Sequence, residues 1–241
     1  MRVERNDRAG AGSRATTLLL CLLAGLAAMG AATVASPQPP APVQTPPVVR
    51  VESGELQGVV DEGVASFKGI PFAAPPVGDL RWRPPQPAAP WTGVRQAAEF
   101  GANCMQGRFG PPPAPGAPPA RPASEDCLFL NVWRPASATS GAKLPVMVWI
   151  HGGGNVIGSS NFYDGGRMAQ TQDVVVVTIN YRLGPLGWFR HAALRDGATP
   201  GEQSGNFATL DLVRALEWVR DDIAGFGGDP GNVTIFGESA G

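Results

Sequence analysis

The residues best suited to chemistry are Gly237, Glu238, Ser239, Ala240 and Gly241, which form a G-x-S-x-G pentapeptide. This spacing is typical of a serine on a sharp turn between a strand and a helix, where its hydroxyl projects from the sheet. A serine hydroxyl is a poor nucleophile until a base removes its proton. The pentapeptide therefore predicts a nucleophilic Ser239, and a turn serine without a catalytic role is the alternative.

A second group of small residues, Gly152, Gly153 and Gly154, directly follows the apolar run 146–150. When a nucleophile attacks a carbonyl group, negative charge develops on the oxygen, and backbone N–H groups aimed at that oxygen stabilise the charge. Glycine allows such close approach because it has no side chain. The pattern predicts an oxyanion-binding loop, and a flexible connector is the alternative.

The sequence has two histidines, His151 and His191, and neither is interpreted as the base that Ser239 needs. In related glycine-rich motifs the position of His151 orders the oxyanion loop and does not titrate. His191 lies upstream of the serine, and it remains a minor alternative because geometry, not chain order, defines a catalytic triad. We therefore expect the base and its acid to lie beyond Gly241.

The elements that must position these groups indicate an α/β protein. Strands are predicted at 128–133, 146–150, 174–179 and 233–236. The second and third of these are continuous apolar runs, which suit parallel strands buried on both faces. Apolar residues at steps of three and four from Leu210 to Ile223 predict a helix, with Asn206 as its N-cap. The last predicted strand runs straight into the serine pentapeptide.

The N-terminus is typical of a secretory signal peptide, residues 1–35, with an arginine-rich start, an apolar run and small residues before a cleavage site at Ala35. A membrane anchor over 16–35 is the alternative, because about 20 apolar residues span a bilayer. Residues 36–47 are rich in proline and predict an extended tether, and 48–241 predict the folded domain. We expect a secreted or periplasmic protein without membrane contact once the signal is cleaved.

Charge and cysteine content narrow the function further. The formal net charge of -1 and the isoelectric point near 6.1 give no basic surface for nucleic acid. In an exported chain, Cys104 and Cys127 are expected to form a disulfide, and two free thiols are the alternative. A metal site is poorly supported by two histidines and no Cys-x-x-Cys.

Five blocks of the sequence, in order, resemble one family, the type-B carboxylesterases or cholinesterase-like esterases. They are FKGIPFAAPPVGDLRWRPPQP at 67–87, EDCLFLNVWRP at 125–135, VMVWIHGGG at 146–154, NYRLGPLGWF at 180–189 and FGGDPGNVTIFGESAG at 226–241. The resemblance implies an α/β-hydrolase fold with a mostly parallel central sheet, of which this chain would be the N-terminal part, truncated after the nucleophile elbow. It implies hydrolysis of a small-molecule carboxylic ester without a metal or organic cofactor.

The resemblance also implies roles for individual residues. The backbone N–H groups of Gly153, Gly154 and Ala240 would form the oxyanion hole, and Glu238 would lie near the active site and tune its electrostatics. Cys127 occupies the family's disulfide position. Arg81 and Glu125 would form a buried structural ion pair, and Asp211 would be a structural aspartate of the helix.

The sequence departs from the family pattern at Asn155, where many relatives carry a bulky aromatic residue, at Leu212, and in a proline-rich insertion at 110–122. None of these departures affects the expected nucleophile or oxyanion donors. Two alternative functions stay open: a non-catalytic, cholinesterase-like binding protein, and a fragment that needs a second chain to supply the acid and histidine.

Overall fold

The computed structural model of the protein describes residues 45–107, 122–194 and 199–241. The predicted signal peptide at 1–35 therefore lies outside the described residues. The same holds for residues 36–44 of the predicted tether and for almost all of the insertion at 110–122.

The strands of the described chain follow the predicted order, with additional short strands. They are β1 (Val48–Val51), β2 (Gly54–Gln57), β3 (Val59–Asp61), β4 (Val64–Pro71), β5 (Val94–Gln96), β6 (Asn103–Cys104), β7 (Ala123–Ser124), β8 (Phe129–Pro135), β9 (Leu144–Ile150), β10 (Val175–Ile179) and β11 (Gly228–Gly237). The α-helices are α1 (Gly166–Gln172), α2 (Gly184–Gly187), α3 (Pro200–Ser204) and α4 (Phe207–Asp222). Single 3-10 turns lie at Gly78–Leu80, Ser160–Phe162, Ala192–Leu194 and Ile223–Phe226.

Six of these strands form the central sheet, in the order β11-β9-β10-β8-β4-β3. Strands β11, β9 and β10 are parallel, and the continuous apolar runs of β9 and β10 predict this pairing. The remaining pairings, β10 with β8, β8 with β4 and β4 with β3, are antiparallel, so the described sheet is mixed. Antiparallel pairing suits β3 and β4 because a short turn at Glu62 and Gly63 connects them.

The parallel strands end together at one edge of the sheet. Ile150, the last residue of β9, pairs with Ile179 of β10 on one side and with Gly237 of β11 on the other. The segments that follow these strands therefore meet at the same edge, where open α/β sheets bind their ligands. This register brings the predicted oxyanion loop beside the predicted serine turn.

The pairing of β11 with β9 contains one irregularity before it reaches this edge. Gly228 pairs with Leu144 and Val233 pairs with Val146, so β11 advances five residues where β9 advances two. From Val233 onward the register is regular up to Gly237. Only this regular part sets the height of the serine turn above the sheet.

Helices cover both faces of the sheet. On one face α4 packs Trp218 into the main core, where Phe67 and Phe226 form an edge-to-face pair with ring centroids 4.9 Å apart. On the other face α1 packs Ala169 against Trp133 of β8. Burial of these apolar side chains is the dominant stabilising contribution to such a layered domain.

The predicted helix at Leu210–Ile223 is confirmed as α4, but the face it buries differs from the one that the apolar pattern indicates. Val213 is 47% exposed, whereas Asp211 is fully buried. The aspartate faces inward because it pairs with Arg182, which follows β10. Asn206 occupies the position before the helix, as expected, although its side chain makes no capping hydrogen bond.

Candidate active site

The serine pentapeptide forms a tight turn at the end of β11. Ser239 has a φ of 59°, in the left-handed region that non-glycine residues rarely adopt. The turn is closed by a hydrogen bond of 3.0 Å from the N–H of Gly241 to the carbonyl of Glu238. Such a conformation costs on the order of 1–3 kcal/mol, and residues that hold it concentrate at functional sites.

The two glycines of the pentapeptide are required by close packing on β9. A β-carbon at Gly237 would lie 2.5 Å from the carbonyl carbon of Gly241 and 2.7 Å from the carbonyl oxygen of Ile150. A β-carbon at Gly241 would collide with the same oxygen of Ile150. The G-x-S-x-G spacing therefore reflects one constraint, because both glycines flank the last carbonyl group of the neighbouring strand.

The glycine loop after β9 contacts this turn directly. A β-carbon at Gly152 would lie 2.5 Å from the carbonyl oxygen of Glu238 and 2.9 Å from Cβ of Ser239. Gly153 has a φ of 111°, which side chains rarely permit, so the loop leaves the strand in a direction that favours glycine. The two motifs are thus neighbours in space, although 86 positions separate Gly152 from Glu238.

Three backbone N–H groups of the glycine loop and the serine turn have no hydrogen-bond partner among the described residues. Within the described parts of the chain, the N–H groups of Gly153, Gly154 and Ala240 donate no hydrogen bond. The carbonyl of Gly153 is engaged, since it accepts hydrogen bonds of 3.1 Å from both Val156 and Ile157.

The side chain of His151 supports the glycine loop. It is 1% exposed, its ring stacks on Tyr181 with centroids 4.4 Å apart, and its Nδ1 lies 2.8 Å from the carbonyl oxygen of Gly152. A carbonyl only accepts, so Nδ1 donates this hydrogen bond. Burial lowers the pKa of His151, which keeps the ring neutral at pH 7. The hydroxyl of Tyr181 donates to the carbonyl of His151, and burial raises the pKa of that hydroxyl to about 12.

The contacts that the described residues make with the second histidine come from its neighbours in sequence. His191 is exposed, its Nδ1 accepts a hydrogen bond of 3.2 Å from the N–H of Ala193, and its ring lies parallel to that of Phe189 at 6.3 Å. Neither of these contacts involves the serine turn.

Two polar residues flank the glycine loop. The carboxylate of Glu238 is directed at it, because Oε2 would lie 2.9 Å from a β-carbon at Gly152. Asn155 has a φ of 63°, and its carbonyl accepts a hydrogen bond of 2.7 Å from the N–H of Gly184. Asparagine is enriched in this left-handed region, so the residue that departs from the family pattern suits the backbone it occupies.

The structure joins Cys104 and Cys127 in a disulfide, and both residues are buried. Beside them, Arg81 and Glu125 form a bidentate ion pair with two N–O distances of 2.6 Å, which lowers the pKa of Glu125. The expectation that this pair is buried is wrong, since its side chains are 41% and 24% exposed. Solvent screens such a pair, so its contribution to stability is small.

Arg182, whose role was not predicted from the sequence, supports the segment beside the glycine loop. Its guanidinium is 3% exposed and binds Asp211 through Nε at 2.8 Å and Nη2 at 2.7 Å. Arg182 follows Tyr181, so the pair fixes the segment that holds His151. The sequence does contain one indication of such a residue: Asp211 lies within the apolar pattern of α4, and a buried carboxylate requires a partner.

Among the residues described, no group of three or more histidine, cysteine, aspartate or glutamate side chains is arranged to hold a metal ion. In the same part of the chain, no helix combines the length and apolar character needed to cross a bilayer.

The sheet, the serine turn at the end of a parallel strand and the glycine loop at the end of its neighbour define an α/β-hydrolase fold. Comparison with known proteins identifies the family: a model of the carboxylesterase family matches residues 45–241. The chain belongs to this family. The fold and the family predicted from the sequence are both confirmed.

Individual relatives agree with this assignment. The chain is 48% identical over 214 residues to a cocaine esterase of Oryctolagus cuniculus, covering 81% of this chain and 37% of that protein. It is 48% identical over 199 residues to a fumonisin B1 esterase of Sphingopyxis macrogoltabida, covering 81% and 35%. A solved structure of a PNB esterase superposes with a TM-score of 0.71 at 42% identity, covering 82% of this chain and 39% of that one. The chain thus spans little more than a third of the length of these relatives.

Proposed function

We propose that the protein hydrolyses small-molecule carboxylic esters through an acyl-serine intermediate, with Ser239 as the nucleophile. Oγ of Ser239 attacks the ester carbonyl carbon, and its proton passes through a base to the departing alcohol. Water then attacks the acyl-serine and releases the carboxylic acid. No metal or organic cofactor takes part in this proposal.

The observation that carries the proposal is the conformation of Ser239. Its left-handed backbone, the glycines that pack on Ile150 and the contact with Gly152 have no evident structural benefit without chemistry at the serine. The N–H groups of Gly153, Gly154 and Ala240 donate to no described group, which supports their proposed role as donors to the developing oxyanion. Removal of one such donor typically lowers kcat by about 10²–10³-fold.

The base and its acid are proposed to come from outside these 241 residues. The ring of His151 stacks on Tyr181 and donates to the carbonyl of Gly152, and Nδ1 of His191 accepts from the N–H of Ala193. Neither ring contacts Ser239 through these interactions. The relatives are more than twice as long as this chain, so a longer protein would have ample sequence to supply both groups. The role proposed for Glu238 is to adjust the electrostatic potential at the serine turn.

We further propose that the protein is exported by its signal peptide at 1–35 and acts outside the cytoplasm. The disulfide between Cys104 and Cys127 supports export, because such bonds persist in oxidising compartments. The opposite result, a retained N-terminus found by sequencing the mature protein, would instead favour the membrane anchor.

The test is labelling of the full-length protein with a fluorophosphonate probe, followed by peptide mapping, together with hydrolysis of 4-nitrophenyl esters of increasing acyl length. Labelling at Ser239 and turnover that Ser239→Ala abolishes are the expected results. Ser204→Ala is the matched control, since Ser204 is a partly buried serine whose hydroxyl donates to the carbonyl of Gly201 and accepts from the N–H of Asn206. An unlabelled Ser239 in the folded protein would favour a non-catalytic binding protein.

A further inference from the structure

The side chain of Gln106 forms two hydrogen bonds with the backbone of one glycine, Gly158, and this pair of bonds is termed the clamp. Its Nε2 donates to the carbonyl of Gly158 at 2.8 Å, and its Oε1 accepts from the N–H of the same residue at 2.9 Å. Nε2 also donates to the carbonyl of Cys104 at 3.1 Å. Among described groups Gly158 has no other backbone hydrogen bond, so the amide of Gln106 satisfies both of its polar atoms.

Gly158 in turn packs against the base of the glycine loop. Its φ is 116°, and a β-carbon there would lie 2.5 Å from the carbonyl oxygen of Gly152 and 2.5 Å from Nδ1 of His151. These are the two atoms that hydrogen-bond to each other to shape the loop. A displacement of Gly158 therefore reaches the loop through van der Waals contact with both atoms.

The segment that carries Gln106 is itself held firmly. Cys104 is tied to Cys127 by the disulfide, and Asn161 donates through Nδ2 to the carbonyl of Gly101 and to Oδ1 of Asn103, each at 2.9 Å. The clamp therefore connects a fixed segment to the turn that closes the glycine loop, Gly153 to Gly158.

We propose that Gln106 is a positioning residue for the oxyanion hole, acting through Gly158 on the N–H groups of Gly153 and Gly154. This inference rests on the proposed function of that loop. Without the amide, the segment between Gly154 and Gly158 retains its own turn hydrogen bonds and the bond from the N–H of Gly184 to the carbonyl of Asn155. Gly158 itself then has no hydrogen bond to a described group, and the donors lose the contact that fixes their direction. Because oxyanion contacts strengthen as charge develops, their misplacement lowers kcat more than it raises KM.

The test compares Gln106→Met with Gln170→Met in the full-length protein. Methionine keeps the volume of glutamine and removes the hydrogen bonds. Gln170 is the matched control, because its Nε2 makes a comparable bond of 2.7 Å to the carbonyl of Glu62 in the turn between β3 and β4. We expect Gln106→Met to lower kcat, normalised to titrated active sites, by about tenfold or more, with KM within about twofold, as for misplaced oxyanion donors.

A second variant covers the case in which Gln106→Met does not fold. Gln106→Glu keeps the acceptor for the N–H of Gly158 but loses the donor to its carbonyl, so its kcat should lie between those of wild type and Gln106→Met. A lowered melting temperature with unchanged kcat per active site would overturn the proposal, since it describes a purely structural residue.

Hydrogen exchange separates this proposal from the proposed function. If wild type neither hydrolyses esters nor is labelled at Ser239, the proposed function fails, and the exchange of amides in the peptide 152–158 still reports on the clamp. Gln106→Met should accelerate that exchange by about tenfold relative to Gln170→Met, because local opening becomes easier. Equal exchange in the two variants would overturn the positioning role.

Discussion

Substitution of Asp211 by alanine in the full-length protein tests whether the buried ion pair is required by the fold. Asp211 accepts three hydrogen bonds from Arg182, from the backbone N–H at 3.0 Å, Nε at 2.8 Å and Nη2 at 2.7 Å. The two side chains are 0% and 3% exposed. Arginine does not lose its proton in proteins, so the variant leaves a buried guanidinium charge without its counterion.

The magnitude follows from this geometry. Removal of one partner of a buried pair costs about 3–5 kcal/mol. Nη1 of Arg182 already has no hydrogen-bond partner among the described residues, and Nη2 has only the carbonyl of Phe207 at 3.4 Å to fall back on. Little compensation is available, so we expect the loss to lie in the upper half of that range. The measurement is the free energy of unfolding in urea, with the slope m checked for constancy.

Asp221 on the same helix provides the matched control. It pairs with Arg220 at 2.7 Å, but these side chains are 38% and 66% exposed. Asp221→Ala should therefore change stability by less than about 1 kcal/mol. The double variant Arg182→Met, Asp211→Leu should recover most of the stability that Asp211→Ala loses, because no unpaired charge remains. If Asp211→Ala costs no more than Asp221→Ala, the reasoning from burial is refuted.

Three further predictions concern stability and solubility. Reduction of the bond between Cys104 and Cys127 should lower the free energy of unfolding by about 3 kcal/mol, measured in urea with and without reductant. His151 is held neutral in the folded state with a pKa below its unfolded value, so its contribution is complete above about pH 6.5 and is lost as pH falls toward the folded pKa. Urea midpoints between pH 5 and 8 should therefore fall on acidification, and a His151→Gln variant should show a shallower decline. A polypeptide of residues 36–241 alone should be poorly soluble and inactive on short-chain esters, because β11 is an edge strand of the described sheet with Ile235 52% exposed. Soluble monomer with turnover that depends on Ser239, checked by gel filtration and ester assay, would contradict this.

The site motifs could be predicted from the sequence because their determinants are local. The glycines at 237 and 241 are fixed by one carbonyl group, that of Ile150, and this single constraint produces a recognisable spacing. The parallel strands were likewise predictable, because burial on both faces leaves a continuous apolar run such as β10.

Other features depend on partners distant in sequence, and no local pattern specifies them. The inward face of α4 could not be assigned, because Val213 fits the apolar periodicity while the residue that turns inward is Asp211, neutralised by Arg182. Gln106 gave no signal at all, since its partners are backbone atoms of Gly158 and Cys104. The antiparallel pairing of β4 with β8 could not be predicted either, because the alternation of apolar and polar residues indicates a strand but not the strand it pairs with.

The irregular pairing of β11 has a consequence for changes in chain length. The residues between Gly228 and Val233 are not paired one to one with β9, because β11 advances five residues while β9 advances two. A deletion or insertion of one residue there can be absorbed before the regular register begins. The same change between Val233 and Gly237 would reverse the inward and outward faces of the strand and carry Ser239 away from Gly152. Length variation among natural or engineered versions of this segment should therefore be confined to its first half. The number of residues from Val233 to the serine turn should stay constant, because it sets the position of Ser239 relative to Gly152.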